Sequence, residues 1–348
     1  MNELRGILTS TVTRLLGTEV TKESLQEAEA GTWPAALWDA LEGNGLTRPL
    51  VPEAQGGAGG TWEDAHVLLH AAGRFAAPVP LAETILASAL LSSAHLEVPD
   101  GPLTVAPVRP GETLALAAAG GWRLSGTVTR VPWGDAAARV AVVAPVDGRV
   151  HLALVDPALA ARTPDRNLAL EPRDTLAFDR TPVDAAVPLT DGDAAWRLGA
   201  LVRAVQMAGA LDALLEQSVR YANERVQFGR PIGKFQAVQQ QLAVLAEHVA
   251  AADLAAQVAC RAAGRGDATF EIAAAKVRAG DAARVGTGIA HQVHGAIGFT
   301  YEHALHFSTR RLWAWRAEFG GETHWAEALG RAALARGAAA LWPDVTAR

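Results

Sequence analysis

Hydrophobic positions along the chain change period twice, and each change marks a change of element type. Over the first hundred residues the spacing is helical, with Leu37, Trp38 and Leu41 on one face. A glycine-rich break follows at Gly56-Gly57-Ala58-Gly59-Gly60. Thr61, with Asp64 three residues on, then offers an N-cap for a helix running towards Arg74. Pro78 and Pro80 punctuate the chain before another apolar helix, expected near Leu81 to Leu96. Beyond about residue 101 the runs become short and alternating: Trp122, Leu124 and Gly126 alternate with Arg123 and Ser125. Val140, Val142 and Val143, and then Val150, Leu152 and Leu154, read as further strands, with Gly120-Gly121 and Asp147-Gly148 as turns. From about residue 191 the helical period returns. Leu198, Leu201, Val202 and Val205 form one apolar face, and Val238, Leu242, Leu245 and Val249 another. Long helices with such faces bury them against each other. The pattern predicts a mainly α protein with a small β domain: an N-terminal helical domain (1–100), a middle β-barrel or sandwich (101–190) and a C-terminal four-helix bundle (191–348).

Composition narrows the classes of function. Half of the 348 residues are hydrophobic and the net charge is −6, which gives no electrostatic case for nucleic-acid binding. Local basic residues can still hold a phosphate. The single cysteine, Cys260, excludes a disulfide framework within the chain and fits a small core residue better than a nucleophile. No long apolar run follows Met1-Asn2-Glu3-Leu4-Arg5, and the most apolar stretch, Ile85 to Leu91, is too short to span a bilayer. A soluble cytoplasmic protein without membrane association is expected.

Two long motifs carry chemistry. The first is Arg225-Val226-Gln227-Phe228-Gly229-Arg230-Pro231-Ile232-Gly233-Lys234-Phe235-Gln236, and the second is Gln292-Val293-His294-Gly295-Ala296-Ile297-Gly298-Phe299-Thr300. They resemble the bundle signatures R-x-x-F-G-x-x-I-x-x-F-Q and Q-x-x-G-G-x-G-F of the acyl-CoA dehydrogenase superfamily. Val51-Pro52-Glu53-Ala54-Gln55-Gly56-Gly57 resembles a looser third signature. The order helices, small β region, bundle matches that family's layout as well. The resemblance implies FAD as cofactor, an acyl-CoA as substrate and an electron-transfer flavoprotein or similar acceptor. In the family these motifs serve a flavin shared across a subunit interface, which implies a homo-oligomer or a hetero-oligomer with a related subunit. It places Arg225 on the cofactor diphosphate, a role suited to a guanidinium fork. Phe228 and Ile232 would offer apolar surface, and Gln227, Gln236 and Gln292 neutral donors and acceptors. Gly295 would let backbone approach the diphosphate closely, and Ala296 beside it falls among the cofactor-binding positions of the motif.

Other patterns are weaker. Gly229 to Lys234 is one residue short of a phosphate loop, and Phe235 stands where a magnesium-binding hydroxyl belongs. His291 and His294, and His303 and His306, are pairs at helical spacing. Without cysteines or a metalloprotease spacing they read as packing or hydrogen-bonding residues, and no metal is expected. Trp313 and Trp315 are assigned to core or interface packing.

The family's reaction needs a carboxylate to take the α-proton of the thioester while the β-hydride moves to the flavin. The family supplies that acid about 20 residues beyond the second signature or about 26 residues before the signature arginine. In this chain those counts arrive at Phe319 and Gly199. Glu318, one step from the first position, is the candidate catalytic base; otherwise it is a solvated acid near Arg316. The strand whose polar groups contact the flavin in the family corresponds to Val105-Ala106-Pro107-Val108-Arg109-Pro110-Gly111-Glu112, and Arg130 stands where the family has a tryptophan. Two functions follow: an FAD-dependent acyl-CoA dehydrogenase using Glu318, or a base-less subunit that completes the FAD site of a catalytic partner. A flavin monooxygenase-like relative is a weaker third.

Overall fold

A computed structural model describes residues 3–109, 111–118 and 120–346. Helices α1 (Glu3–Glu19), α2 (Lys22–Ala30), α3 (Ala35–Gly43), α4 (Trp62–Arg74) and α5 (Leu81–Ser93) come first. Strands β1 (Leu103–Val105), β2 (Leu114–Ala117), β3 (Arg123–Pro132), β4 (Arg139–Val146), β5 (Arg149–Val155), β6 (Ala161–Thr163), β7 (Arg173–Pro182) and β8 (Ala185–Pro188) follow. Helix α6 (Ala194–Glu224) leads into a minimal hairpin, β9 (Val226–Gln227) and β10 (Arg230–Pro231). Helices α7 (Gln236–Ala263), α8 (Thr269–His294), α9 (Leu305–Ala317), α10 (Glu322–Arg336) and α11 (Ala338–Thr346) complete the chain.

Local chemistry explains the boundaries. The Asp64 carboxylate accepts from the backbone N–H of Thr61 at 2.8 Å and from its hydroxyl at 2.7 Å, closing the start of α4 where the sequence places it. Asp147 (φ 48°) and Gly148 (φ 77°) form the two-residue turn that joins β4 to β5. Helix α5 ends at Ser93, short of the expected Leu96, because Ala94 and His95 turn out of it and bond back to its last carbonyls. The middle region is two four-stranded sheets, ordered β1-β4-β5-β8 and β2-β3-β7-β6. They share a core that includes Leu124, Val128, Val140, Val142, Val155 and Leu176. Among the described residues no ladder joins the sheets, so the expected barrel is an open, sandwich-like one.

The main core runs without a break from α1 and α3–α5 into α6–α9. Burying each of its leucines or valines stabilises the fold by about 1.5–3 kcal/mol relative to exposure. Gly73 of α4 and Gly209 of α6 let these helices cross backbone to backbone. A Cβ on Gly73 would collide with the Gln206 carbonyl, and one on Gly209 with the His70 carbonyl. Cys260 is fully buried, and burial pushes its thiol pKa up, as suits a core residue. The stretch Ile85 to Leu91 lies in the 13-residue α5, but the longest apolar helices are others. Helices α6 and α7 are long and apolar enough to cross a bilayer by length and composition. The apolar window of α6 is 83% buried in the bundle, whereas that of α7 is only 28% buried.

Candidate functional site

Arg203 sits inside an unbroken buried run of α6, from Gly199 to Leu211. A charge there needs partners, and three segments supply them. Arg203 donates to Glu83 Oε1 on α5 at 2.5 Å, to Gln206 Oε1 at 2.5 Å and to Glu318 Oε2 at 2.7 Å. From the start of β7, Arg173 donates to Glu318 Oε1 at 2.7 Å and to Glu171 Oε2 at 2.9 Å. Glu171 also accepts from the Trp315 indole at 2.9 Å and faces Arg311 at 3.3 Å. Three arginines therefore face three glutamates. Burial alone would raise the Glu318 carboxyl, but the Arg173 and Arg203 guanidiniums outweigh it and hold the pKa at about 2. Glu318 is thus neither solvated nor paired with Arg316, whose partner is Glu322.

The next residue points the other way. Phe319 adopts φ 52° and Gly320 φ 89°, so the chain turns sharply after α9. The Lys276 ammonium of α8 donates to the carbonyls of Arg316 at 2.8 Å and Gly320 at 2.7 Å, and the Trp325 indole donates to the Phe319 carbonyl at 2.9 Å. Burial lowers the Lys276 pKa to about 7. Held in this way, the Phe319 ring covers Gly199 so closely that a Cβ there would run into it. The two positions reached by counting from the motifs therefore meet in space, and a phenyl ring fills the place where they meet.

Two cavities flank this plug. One, of about 250 Å³, is lined by Pro107, Arg109, Arg130, Arg173, Glu318 and Phe319, among others. It is charged and small for an organic ligand, for which pockets span about 300–1,000 Å³. The other, of about 680 Å³, is apolar, with Val105, Val143, Val150, Trp196, Phe319 and His324 on its walls.

The motif residues gather at the far end of the bundle. Tyr221, near the end of α6, stacks on His294 at the end of α8 with ring centroids 4.6 Å apart, so both motifs leave the same end. Arg225, Gln227, Phe228, Gln236, Gln292, Gly295 and Ala296 are exposed, and Ile232 is half-buried. Phe228 is 91% exposed at the hairpin tip, with φ 51°. The Arg230 guanidinium lies over the Phe235 ring at 4.2 Å, whereas no described residue pairs with the Arg225 side chain. Gln292 and Gly295 line a groove of about 420 Å³ with Arg284 and Trp313; Arg225, Gln227 and Phe228, on the hairpin, are not among its lining residues. Gly295 has φ 62° and open space where a Cβ would be. The histidines serve packing and local bonds: His294 Nδ1 bonds the Ala290 carbonyl at 2.8 Å, and His306 Nδ1 the His303 carbonyl at 2.8 Å. Trp315 is buried, and Trp313, 43% exposed, lies beneath Arg316.

The sequence reading missed the buried ion cluster of Glu83, Glu171, Arg173, Arg203 and Arg311. Its one visible signal was an arginine amid Leu201, Val202, Ala204 and Val205.

The acyl-CoA dehydrogenase N-terminal domain model matches residues 3–95, and the C-terminal domain model residues 195–322. The chain is 30% identical over 315 residues to acyl-CoA dehydrogenase IpdE2 of Mycobacterium tuberculosis, covering 89% of this chain and 91% of that protein. It is 34% identical over 317 residues to acyl-CoA dehydrogenase FadE34 of the same organism, covering 86% of this chain but only 42% of FadE34. Among solved structures, the ChsE4–ChsE5 complex from Mycobacterium tuberculosis superimposes with a TM-score of 0.90 at 28% identity, covering 97% of this chain and 99% of the matched one.

Proposed function

The chain belongs to the acyl-CoA dehydrogenase family, and we propose that it is a base-less member that completes the FAD site of a catalytic relative instead of oxidising an acyl-CoA by itself. One observation carries this reading: Phe319 packs on Gly199, so both places that could present a carboxylate to a thioester α-carbon hold none. Glu318 does not substitute well. A base must hold a free lone pair and a pKa near that of its task. Both Glu318 oxygens are taken by guanidiniums, and a group held at about 2 accepts a proton poorly at neutral pH.

The two ends of an FAD fare differently on this chain. The slot between Pro107 and Arg109 and α9, where a flavin ring would lie by analogy, is only about 250 Å³ and is closed on one side by Phe319, a tight fit for a three-ring system. The bundle end suits a diphosphate better: Arg225 is unpaired, Gln227 and Gln292 offer amides, and Gly295 leaves backbone accessible. When bound, FAD supplies the hydride acceptor of the family reaction. On this reading Arg225, Gln227, Phe228, Ile232, Gln236, Gln292, Gly295 and Ala296 hold the part of it remote from the ring, while the acyl-CoA, the base and contact with an electron-transfer flavoprotein belong to the related subunit. That one solved likeness is itself a two-protein complex is consistent with it.

The test is spectral. Purified alone, the chain should carry little flavin and show no bleaching when acyl-CoAs are added without oxygen. Co-expressed with a catalytic relative, it should yield a yellow complex that bleaches, and Arg225→Ala should lower the flavin retained by that complex. Bleaching of the lone chain that disappears in Glu318→Gln would instead establish Glu318 as a base.

A further inference from the structure

A separate cavity of about 520 Å³ lies between the α2–α3 connection and the β domain. It neighbours the Glu318 slot, sharing Asp165 and Arg166 with it, and its volume falls within the range usual for ligand sites. Its walls combine two features. Three indoles cluster there: Trp33 lies 6.0 Å from Trp38 and 6.4 Å from Trp133, centroid to centroid, at tilted or edge-on angles. A carboxylate joins them. Asp174, at the start of β7, is 1% exposed; its Oδ1 faces Arg162 at 3.3 Å, while Oδ2 has no hydrogen-bond partner among the described residues. Burial and then the nearby Asp135 carboxylate push the Asp174 pKa up. Lining acids outnumber bases: Asp135, Asp165 and Asp174 against Arg162 and Arg166. Arg166 is also engaged elsewhere, donating to the Glu29 carbonyl at 2.6 Å.

An unpartnered buried carboxylate oxygen is costly, and a cation beside it removes the cost. Indole faces attract the same charge, most strongly when the cation is weakly hydrated. A metal ion suits the site less well, since the aromatic walls provide no ligand atoms. We propose that this cavity binds an organic ammonium group, the charge set against Asp174 and Asp135 and the alkyl groups against Trp33, Trp38 and Trp133. The site does not depend on the base-less reading. Its occupant could be a free alkylammonium compound or an ammonium side chain of another protein.

The probes are choline and its neutral isostere 3,3-dimethylbutan-1-ol, titrated calorimetrically into the full chain, with tryptophan fluorescence as a second readout. Choline should bind at least about tenfold more tightly than the alcohol. A second arm compares Nα-acetyl-lysine amide, whose ε-ammonium is free, with Nα-acetyl-norleucine amide; discrimination there but not for choline assigns the site to a protein side chain. Asp174→Asn should abolish the preference for the charged probe while leaving binding of the alcohol intact. If that variant fails to fold, Asp135→Asn, at an exposed position, should reduce the preference, and Trp33→Leu should weaken both probes. Equal binding of charged and neutral members in both arms, or no binding at millimolar concentration, would overturn the proposal.

Discussion

At Glu318 two guanidiniums share one carboxylate whose side chain is 14% exposed. Removing its charge leaves Arg173 and Arg203 buried with too few partners. Glu318→Gln should therefore destabilise the fold by about 3–5 kcal/mol, measured as a lower urea midpoint. The pH dependence follows from the same contacts. The carboxyl is depressed to about 2 in the folded chain from an ordinary 4.5. Its contribution is complete above the ordinary value and drains away as pH falls towards 2. Over that window stability should fall more steeply in the native chain than in Glu318→Gln, and equal slopes would contradict the assignment. None of this could be read from the sequence, because Glu318 lies 145 residues from Arg173 and 115 from Arg203. Counting did identify Phe319 and Gly199 as positions lacking an acid, but not that the first closes over the second.

Elements with one clean period were legible: α3, the start of α4, the faces of α6 and α7, and the β4–β5 hairpin with its Asp-Gly turn. Those missed lack such a signal. Strand β1 is three residues buried on both faces, and β7 opens with Arg173 and Asp174, polar residues buried by ion pairs that the sequence does not display. The α4–α6 crossing was also hidden, since glycines in helices read locally as weak points. There the obstacle to a side chain is backbone, which cannot move aside. Gly209→Ala should cost about 1–3 kcal/mol or more, seen as a drop in melting temperature, despite alanine's better helix propensity. The β9–β10 hairpin is the opposite case. Phe228 is 91% exposed, so Phe228→Ser should leave the melting temperature of the isolated chain unchanged within error. Any role it has in assembly should appear only as weaker association with a second subunit.

For the whole molecule, the motifs sufficed to indicate family and architecture, because they join long helices at fixed separation. The motifs imply an oligomer by resemblance, but which surface would carry the contact is visible only in the folded chain. Val244, Leu254 and Val258 of α7 are 42%, 62% and 41% exposed, and Leu341 and Trp342 of α11 are 53% and 72% exposed. Where such side chains form one contiguous patch, they mark contact with another chain. Sedimentation should show a species larger than a monomer, alone or with a related subunit, and Leu254→Lys with Val258→Lys should shift it towards monomer without loss of helical dichroism. The ion cluster has its own consequence at this scale. Glu83 comes from the first group of helices, Arg173 from the sheets, and Arg203 and Glu318 from the bundle, so one knot of charge ties three layers together. No layer can peel away without stranding a naked charge in oil, and heating in a calorimeter should give a single endotherm in which all three are lost at once.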